Sequence, residues 1–286
     1  MQPVLNVMTL ISGPDAEAAL QACISDLKVT VDWLSPTACD ITGDAVTEAA
    51  ARSAIGNRPI DVIVQSAAGR KKRLLVADLE STIIENEMLD ELADFLGLRG
   101  HVAEITRRAM NGEIDFVDAL SERVALLRGQ PVSLLDRAAE RIRLMPGAQV
   151  LISTLRRAGV HTALVSGGFT VFAERIAAEL GFDRVVANRL DIEDGKLAGT
   201  VTPPIVTATT KHATLVALAA EFGLTLDETM AIGDGANDLP MLGAAGLGIA
   251  FHAKPAVAAA SRWRIDHADL TALLYAQGYR QEEIVG

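Results

Sequence analysis

Four short, unbroken apolar runs constrain this chain most: Leu74–Ala77, Thr162–Val165, Thr229–Ile232 and Gly246–Phe251. Each is too short for a helix and too uniformly apolar for a strand with one wet face. Runs of this kind fit strands buried on both sides, as in a parallel sheet covered by helices. Helical segments alternate with them, so this part of the chain reads as an α/β, doubly wound parallel sheet. One insertion breaks the alternation. Between the first two runs lies a helical block at about 85–145, containing Glu87–Leu96, Val102–Asn111 and Phe116–Leu127 and closed by Pro146-Gly147. Placed there, it forms a cap over one end of the sheet.

The first 70 residues follow a different grammar. Val4–Ile11, Val29–Leu34, Ala38–Ile41 and Ile60–Gln65 read as strands, and Asp15–Asp26 and Val46–Ile55 as helices. The order β-α-β-β-α-β is that of a small α+β, ferredoxin-like or ACT-like domain. Such a module is a candidate for sensing a ligand or for pairing two chains into a homodimer. The basic run Arg70-Lys71-Lys72-Arg73 then reads as a solvated linker between an amino-terminal domain, 1–70, and a larger domain, 71–286. A nucleic-acid patch is disfavoured there, because 26 basic against 37 acidic residues leave a net charge of −11.

Two cysteines, Cys23 and Cys39, are too few for a disulfide framework or a zinc site and read as small buried hydrophobes. The start, MQPVLNVMTL, has no basic segment of a secretory signal. The most apolar stretch, Leu239–Ala253, carries Pro240 and three glycines and is too short to span a bilayer. No membrane association and a cytoplasmic location are therefore expected.

In an open parallel sheet, ligands sit beyond the carboxyl ends of the strands. Asp78-Leu79-Glu80-Ser81-Thr82 follows the first run, Ser166-Gly167-Gly168 the second, and Gly233-Asp234-Gly235-Ala236-Asn237-Asp238 the third. Any one of these is an ordinary turn. Three at one sheet edge make a site. The carboxylates of Asp78 and Asp234 suit a hard cation such as Mg²⁺. Ser166 and the backbone N–H groups after it suit phosphate oxygens. Lys211, at the start of a helical segment, is the candidate for offsetting negative charge.

These motifs, in this order, resemble those of the haloacid dehalogenase-like phosphatases, and the resemblance runs from about Leu74 to about Gln277. Within that superfamily the chain is most similar to the phosphoserine phosphatases. The narrower likeness lies in Glu87, in Thr106–Gly112, in Asp115-Phe116, in Ser121-Glu122-Arg123-Val124 and in Ser166-Gly167-Gly168-Phe169. It implies hydrolysis of O-phospho-L-serine, the last step of serine biosynthesis, through an aspartyl-phosphate on Asp78. It implies Mg²⁺ held by the Asp78 and Asp234 side chains and the Glu80 backbone carbonyl. Lys211 is then catalytic and phosphate-binding, with Asp238 oriented toward the metal waters or Lys211. Ser166, the Gly167 N–H and Asn237 bind phosphate. Glu87 reads the substrate ammonium, Arg123 its carboxylate, and Met110 and Phe116 form an apolar wall.

One position departs from the pattern. Where the family normally has aspartate as general acid and base, this chain has Glu80, with roughly 1.5 Å more reach in a site where misplacement by about 1 Å can cost roughly 100-fold. Two alternatives follow. Poor water activation would favour phosphoryl transfer to an acceptor hydroxyl such as that of homoserine. Lost catalysis would leave a regulatory amino-acid-binding protein.

Overall fold

The computed structural model describes residues 6–42, 47–110 and 113–286. The amino-terminal part runs β1 (Asn6–Ser12), α1 (Glu17–Leu27), β2 (Asp32–Ser35), β3 (Ala38–Thr42), α2 (Glu48–Ile55) and β4 (Ile60–Ser66). The expected starts at Val4 and Val46 lie outside the described residues. The four strands form a wholly antiparallel sheet in the order β2-β3-β1-β4. Alternation along the strands separates two faces. Met8, Leu10, Cys39, Ile41 and Val62 pack under the two helices, with Cys23. Ile11, Leu34, Ala38 and Ile63 point the other way and join the main core. Both cysteines are free and buried there.

The basic run is only partly solvated: Lys71 and Arg73 are exposed, but Arg70 and Lys72 are not. Lys72 is buried, and its Nζ donates to the carbonyls of Gly69 (3.0 Å) and Asp227 (2.8 Å). Arg70 forms a part-buried ion pair with Asp40 at 2.6 Å and also donates to the Tyr275 carbonyl. Lys71 pairs with Glu283, and Arg73 with Glu228. A second tie runs from β4. The buried Asp61 carboxylate accepts three backbone N–H groups, from Asp266 (2.8 Å), His267 (3.2 Å) and Ala268 (3.0 Å). The two sheets are thus fastened by buried polar contacts that local sequence gives no sign of.

The larger part begins with β5 (Leu74–Ala77), then the cap helices α3 (Met88–Phe95), α4 (Arg99–Met110), α5 (Phe116–Ala125) and α6 (Ser133–Ala139). There follow α7 (Ala148–Arg157), β6 (His161–Phe169), α8 (Thr170–Leu180), β7 (Arg184–Glu193), β8 (Lys196–Thr202) and α9 (Ala208–Glu221). The chain ends with β9 (Thr229–Gly233), α10 (Leu239–Ala244), β10 (Leu247–Phe251), α11 (Pro255–Ala260), β11 (Trp263–Ile265) and α12 (Ala272–Ala276). The sheet order is β11-β10-β9-β5-β6-β7-β8. All neighbouring pairs are parallel except β7 and β8, an antiparallel hairpin at one edge. The sheet is therefore mixed rather than purely parallel.

Every residue of β5 is fully buried. Leu75 and Ala77 enter the core on one face, Leu74 and Val76 that on the other, which is why the run is apolar without alternation. Strand order reverses at β5, flanked by β6 and β9, so the loops leaving it open a crevice at the sheet rim. The cap enters and leaves through two paired connectors. Ile84 bridges Leu144, Met145 N–H donates to the Ile83 carbonyl and Glu85 N–H to the Arg143 carbonyl. No helix among the described residues is long and apolar enough to cross a membrane.

Candidate active site

Asp78 extends β5, its N–H continuing the ladder to the Ile232 carbonyl at 3.0 Å. Asp234 stands just beyond β9, and Asp238 closes the short turn after it. Gly233 is needed there, because a Cβ at that position would strike the Asp238 carboxyl group. From the far side, α9 delivers Lys211 in its first turn, with Thr207 capping the helix through Thr210. Lys211 is fully buried, and its Nζ donates to Asp78 Oδ1 and Asp238 Oδ1, both at 2.6 Å. Asp238 Oδ2 is occupied as well, accepting the Gly235 N–H at 3.0 Å.

This arrangement assigns the carboxylates different tasks. Carboxylate oxygens of Asp78, Asp234 and Asp238 lie within 4.8 Å of one another and are buried. Both oxygens of Asp238 are taken. Among the described residues, no hydrogen bond reaches Asp78 Oδ2, and Asp234 has only Lys254, whose Nζ is 3.6 Å away and largely exposed. An all-oxygen pocket with free acceptors on Asp78 and Asp234 fits a hard divalent cation. Burial pushes Asp78 up to about 7 against the pull of Lys211, with Asp238 pushing the same way. Asp234 is raised to about 6, again by burial, and Lys254 opposes the shift. Burial alone would lower Lys211, yet its two carboxylate partners hold it above the ordinary lysine value.

The second strand end supplies the anion cradle. Ser166 is buried, and its Oγ accepts the Gly168 N–H at 2.9 Å. Gly168 also makes room for Glu80. A Cβ there would lie 2.9 Å from the Glu80 carboxyl carbon and from each of its oxygens. The longer side chain therefore lies against a residue with none, and its Oε1 accepts the Met88 N–H, at the start of the cap, at 2.9 Å. Burial first, then the charge of Glu87, raises Glu80 to about 8.

These groups face a cavity of about 410 Å³ between sheet rim and cap. Asp78, Glu80, Glu87, Phe116, Arg123, Ser166, Gly167, Asp234 and Asn237 all line it. Glu87 is held by Ser81 Oγ at 2.8 Å, and Ser81 adopts a left-handed backbone (φ 55°) to turn the chain there. Arg123 is fixed through its Nε to the Ala119 carbonyl at 3.1 Å, and among the described residues no hydrogen bond reaches the rest of its fork. Burial lowers its pKa, opposed by Asp90, Glu80 and Glu87. Phe116 lies over Gly167, its Cζ 3.4 Å from where a Cβ would stand. Met110 ends α4, and its side chain is outside the described part. Asp90 and Lys254 line the same cavity and were missed by the motif reading. Lys254 follows β10, the fourth of the apolar runs, so the rule that found Asp78, Ser166 and Asp234 reaches it too.

Comparison with known proteins is consistent with this geometry. Residues 75–243 match the haloacid dehalogenase-like hydrolase family. The chain is 48% identical over 199 residues to a phosphoserine phosphatase of Streptococcus thermophilus, covering 70% of this chain and 93% of the relative. It is 45% identical over 227 residues to a phosphoserine phosphatase of Mycobacterium tuberculosis, covering 79% of this chain but 56% of that relative's length. A solved HAD-family hydrolase of Salmonella enterica serovar Typhi superposes with a TM-score of 0.85 at 29% identity, covering 96% of this chain and 99% of that one.

Proposed function

The chain belongs to the haloacid dehalogenase-like hydrolases and, within them, to the group of its phosphoserine phosphatase relatives; from that premise we propose that it hydrolyses O-phospho-L-serine to L-serine and phosphate, with Mg²⁺ as cofactor. One observation carries the reading. A buried lysine clamps one oxygen of Asp78 and leaves the other free, at the floor of a cavity whose cap side presents a carboxylate and a guanidinium. Phosphoserine carries a phosphate, an ammonium and a carboxylate, and the cavity has a complement for each.

A carboxylate oxygen of Asp78 attacks phosphorus, and the bond from phosphorus to the serine oxygen breaks. Glu80 gives its proton to the departing alkoxide, and L-serine is released. Water then attacks the phosphorus of the aspartyl-phosphate and passes a proton to Glu80. The bond to Asp78 breaks, freeing phosphate and restoring the carboxylate. When bound by the Asp78 and Asp234 side chains and the Glu80 carbonyl, Mg²⁺ offsets the repulsion between nucleophile and phosphate. Lys211 does the same from the other side and, paired with Asp238, keeps Asp78 in place. Ser166, the Gly167 N–H and Asn237 hold phosphate oxygens. Glu87 takes the ammonium, Arg123 the carboxylate, and Phe116 closes the pocket.

The test is phosphate release from O-phospho-L-serine with Mg²⁺. Wild type is expected to turn over and Asp78→Asn to be inactive although folded; an active Asp78→Asn variant rules out the assigned nucleophile. The Glu80 carboxyl, anchored to the cap, is the observation that keeps transfer to homoserine as a second reading. Phosphohomoserine forming faster than free phosphate would select it. A purely regulatory role is disfavoured, since Asp78, Lys211, Asp234 and Asp238 form a complete set. We further propose that the enzyme serves serine biosynthesis in the cytoplasm and that residues 1–70 form an ACT-like unit that senses a ligand or pairs two chains.

A further inference from the structure

We propose that Asn188 is a positioning residue that holds the Ser166 turn and the Lys211 helix in register on the phosphoryl group. The inference rests on the phosphatase reading above. Asn188 sits on β7 and is 1% exposed. Its Nδ2 donates to the Gly167 carbonyl at 2.7 Å, and its Oδ1 accepts the Val206 N–H at 2.8 Å. Only this orientation satisfies both ends, since the flipped amide would set oxygen against oxygen.

The need for it comes from the sheet. Pairing of β6 with β7 runs to Val165 opposite Val186, breaks, and resumes at Phe169 opposite Asn188. The stretch Ser166–Gly168 bulges out of the ladder, and such a bulge leaves backbone groups without ladder partners. Asn188 supplies one from its side chain. The Gly167 carbonyl and the Gly168 N–H belong to one peptide plane, and that N–H donates to Ser166 Oγ. Fixing the carbonyl therefore fixes the N–H, and with it the hydroxyl. With Oγ accepting from Gly168, the Ser166 proton is free to donate to a phosphate oxygen. At the other end, Val206 precedes the helix cap Thr207, whose carbonyl accepts the Lys211 N–H at 3.0 Å. One buried amide thus ties the Ser166 turn, which lines the cavity, to the start of the helix whose Lys211 holds Asp78.

Asn188→Asp tests this. It keeps size and the acceptor for Val206 but removes the donor and sets a carboxylate against the Gly167 carbonyl. In the full-length chain, inorganic phosphate, Mg²⁺ and L-serine are each titrated by calorimetry, and kcat and KM are measured with phosphoserine. Phosphate affinity is expected to fall about tenfold and kcat about 10- to 100-fold, as for displacement of a reacting group by up to ~1 Å. Mg²⁺ and L-serine affinities should stay within about twofold, because Asn188 touches neither Asp234 nor the cap. Unchanged phosphate affinity, or an equal loss for all three ligands, overturns the inference. If Asn188→Asp does not fold, Asn188→Ser, which admits a bridging water, is judged by the same ratio. A wild type that binds phosphate and Mg²⁺ but does not turn over phosphoserine refutes the phosphatase reading and leaves the Asn188 comparison intact.

Discussion

Gly168→Ala tests how this chain accommodates glutamate at position 80. The added Cβ would lie 2.9 Å from three atoms of the Glu80 carboxyl group, whereas ordinary contact begins near 3.4 Å. The carboxyl must move by about 0.5 Å or more, and moving it strains or breaks its bond with the Met88 N–H. The atoms that yield are the end of a flexible side chain, and Gly168 has no left-handed backbone to defend. Stability should therefore change little, by about 1 kcal/mol for the lost hydrogen bond. Catalysis should change much more. A general acid displaced by 0.5 to 1 Å is expected to lower kcat by about 10- to 100-fold, with a smaller effect on KM. The partner experiment shortens the side chain. In Gly168→Ala with Glu80→Asp, one methylene is removed from the crowded group, and kcat should recover by about tenfold or more over Gly168→Ala alone. Steady-state phosphate release gives the rates, and thermal melts confirm folding. Wild-type kcat in folded Gly168→Ala, or no recovery in the double variant, would refute the claim that Gly168 sets the Glu80 carboxyl.

Lys211→Met leaves Asp78 and Asp238 buried without their cation; activity should vanish, and urea denaturation should show a loss of about 3–5 kcal/mol unless the carboxylates take up protons. Asp234 is raised to about 6 from an ordinary 3.8, so its contribution to metal-free stability is full below about pH 4 and is lost as pH rises through about 6, with Asp78 acting likewise near 7. Mg²⁺ replaces those protons, so the rise in melting temperature on adding Mg²⁺ should be larger at pH 8 than at pH 5.5; the reverse order would contradict the assigned ligands. Asp61→Ala leaves three backbone N–H groups without their acceptor and should cost about 3 kcal/mol in urea, while a loss under about 1 kcal/mol would show that the tie between the sheets is not built on that carboxylate.

Much of the site was legible because each motif sits at the end of an apolar run. Asp78 and Asp234 follow β5 and β9, Ser166 stands where the pairing of β6 with β7 breaks, and parallel strands bring these ends to one rim whatever lies between them. Other features were not legible. The hairpin of β7 and β8 mixes apolar and charged residues such as Arg189 and Asp191, because its surroundings are partly wet. The run Arg70–Arg73 looks like a linker by composition, and only its partners Asp40, Gly69 and Asp227 make it a clasp.

What the sequence determined by itself is periodicity and chemistry: which segments are buried on both faces, and which oxygen- and nitrogen-bearing groups stand at their ends. The tertiary structure decided what is paired with what. It gave both Asp238 oxygens to Lys211 and Gly235, leaving Asp78 and Asp234 open, turned Glu80 against Gly168 and the cap, and placed Asn188 between two loops. The reason is one of range. Burial is dictated by side chains a few residues apart, whereas a hydrogen bond depends on tenths of an ångström between atoms that the chain alone does not bring together.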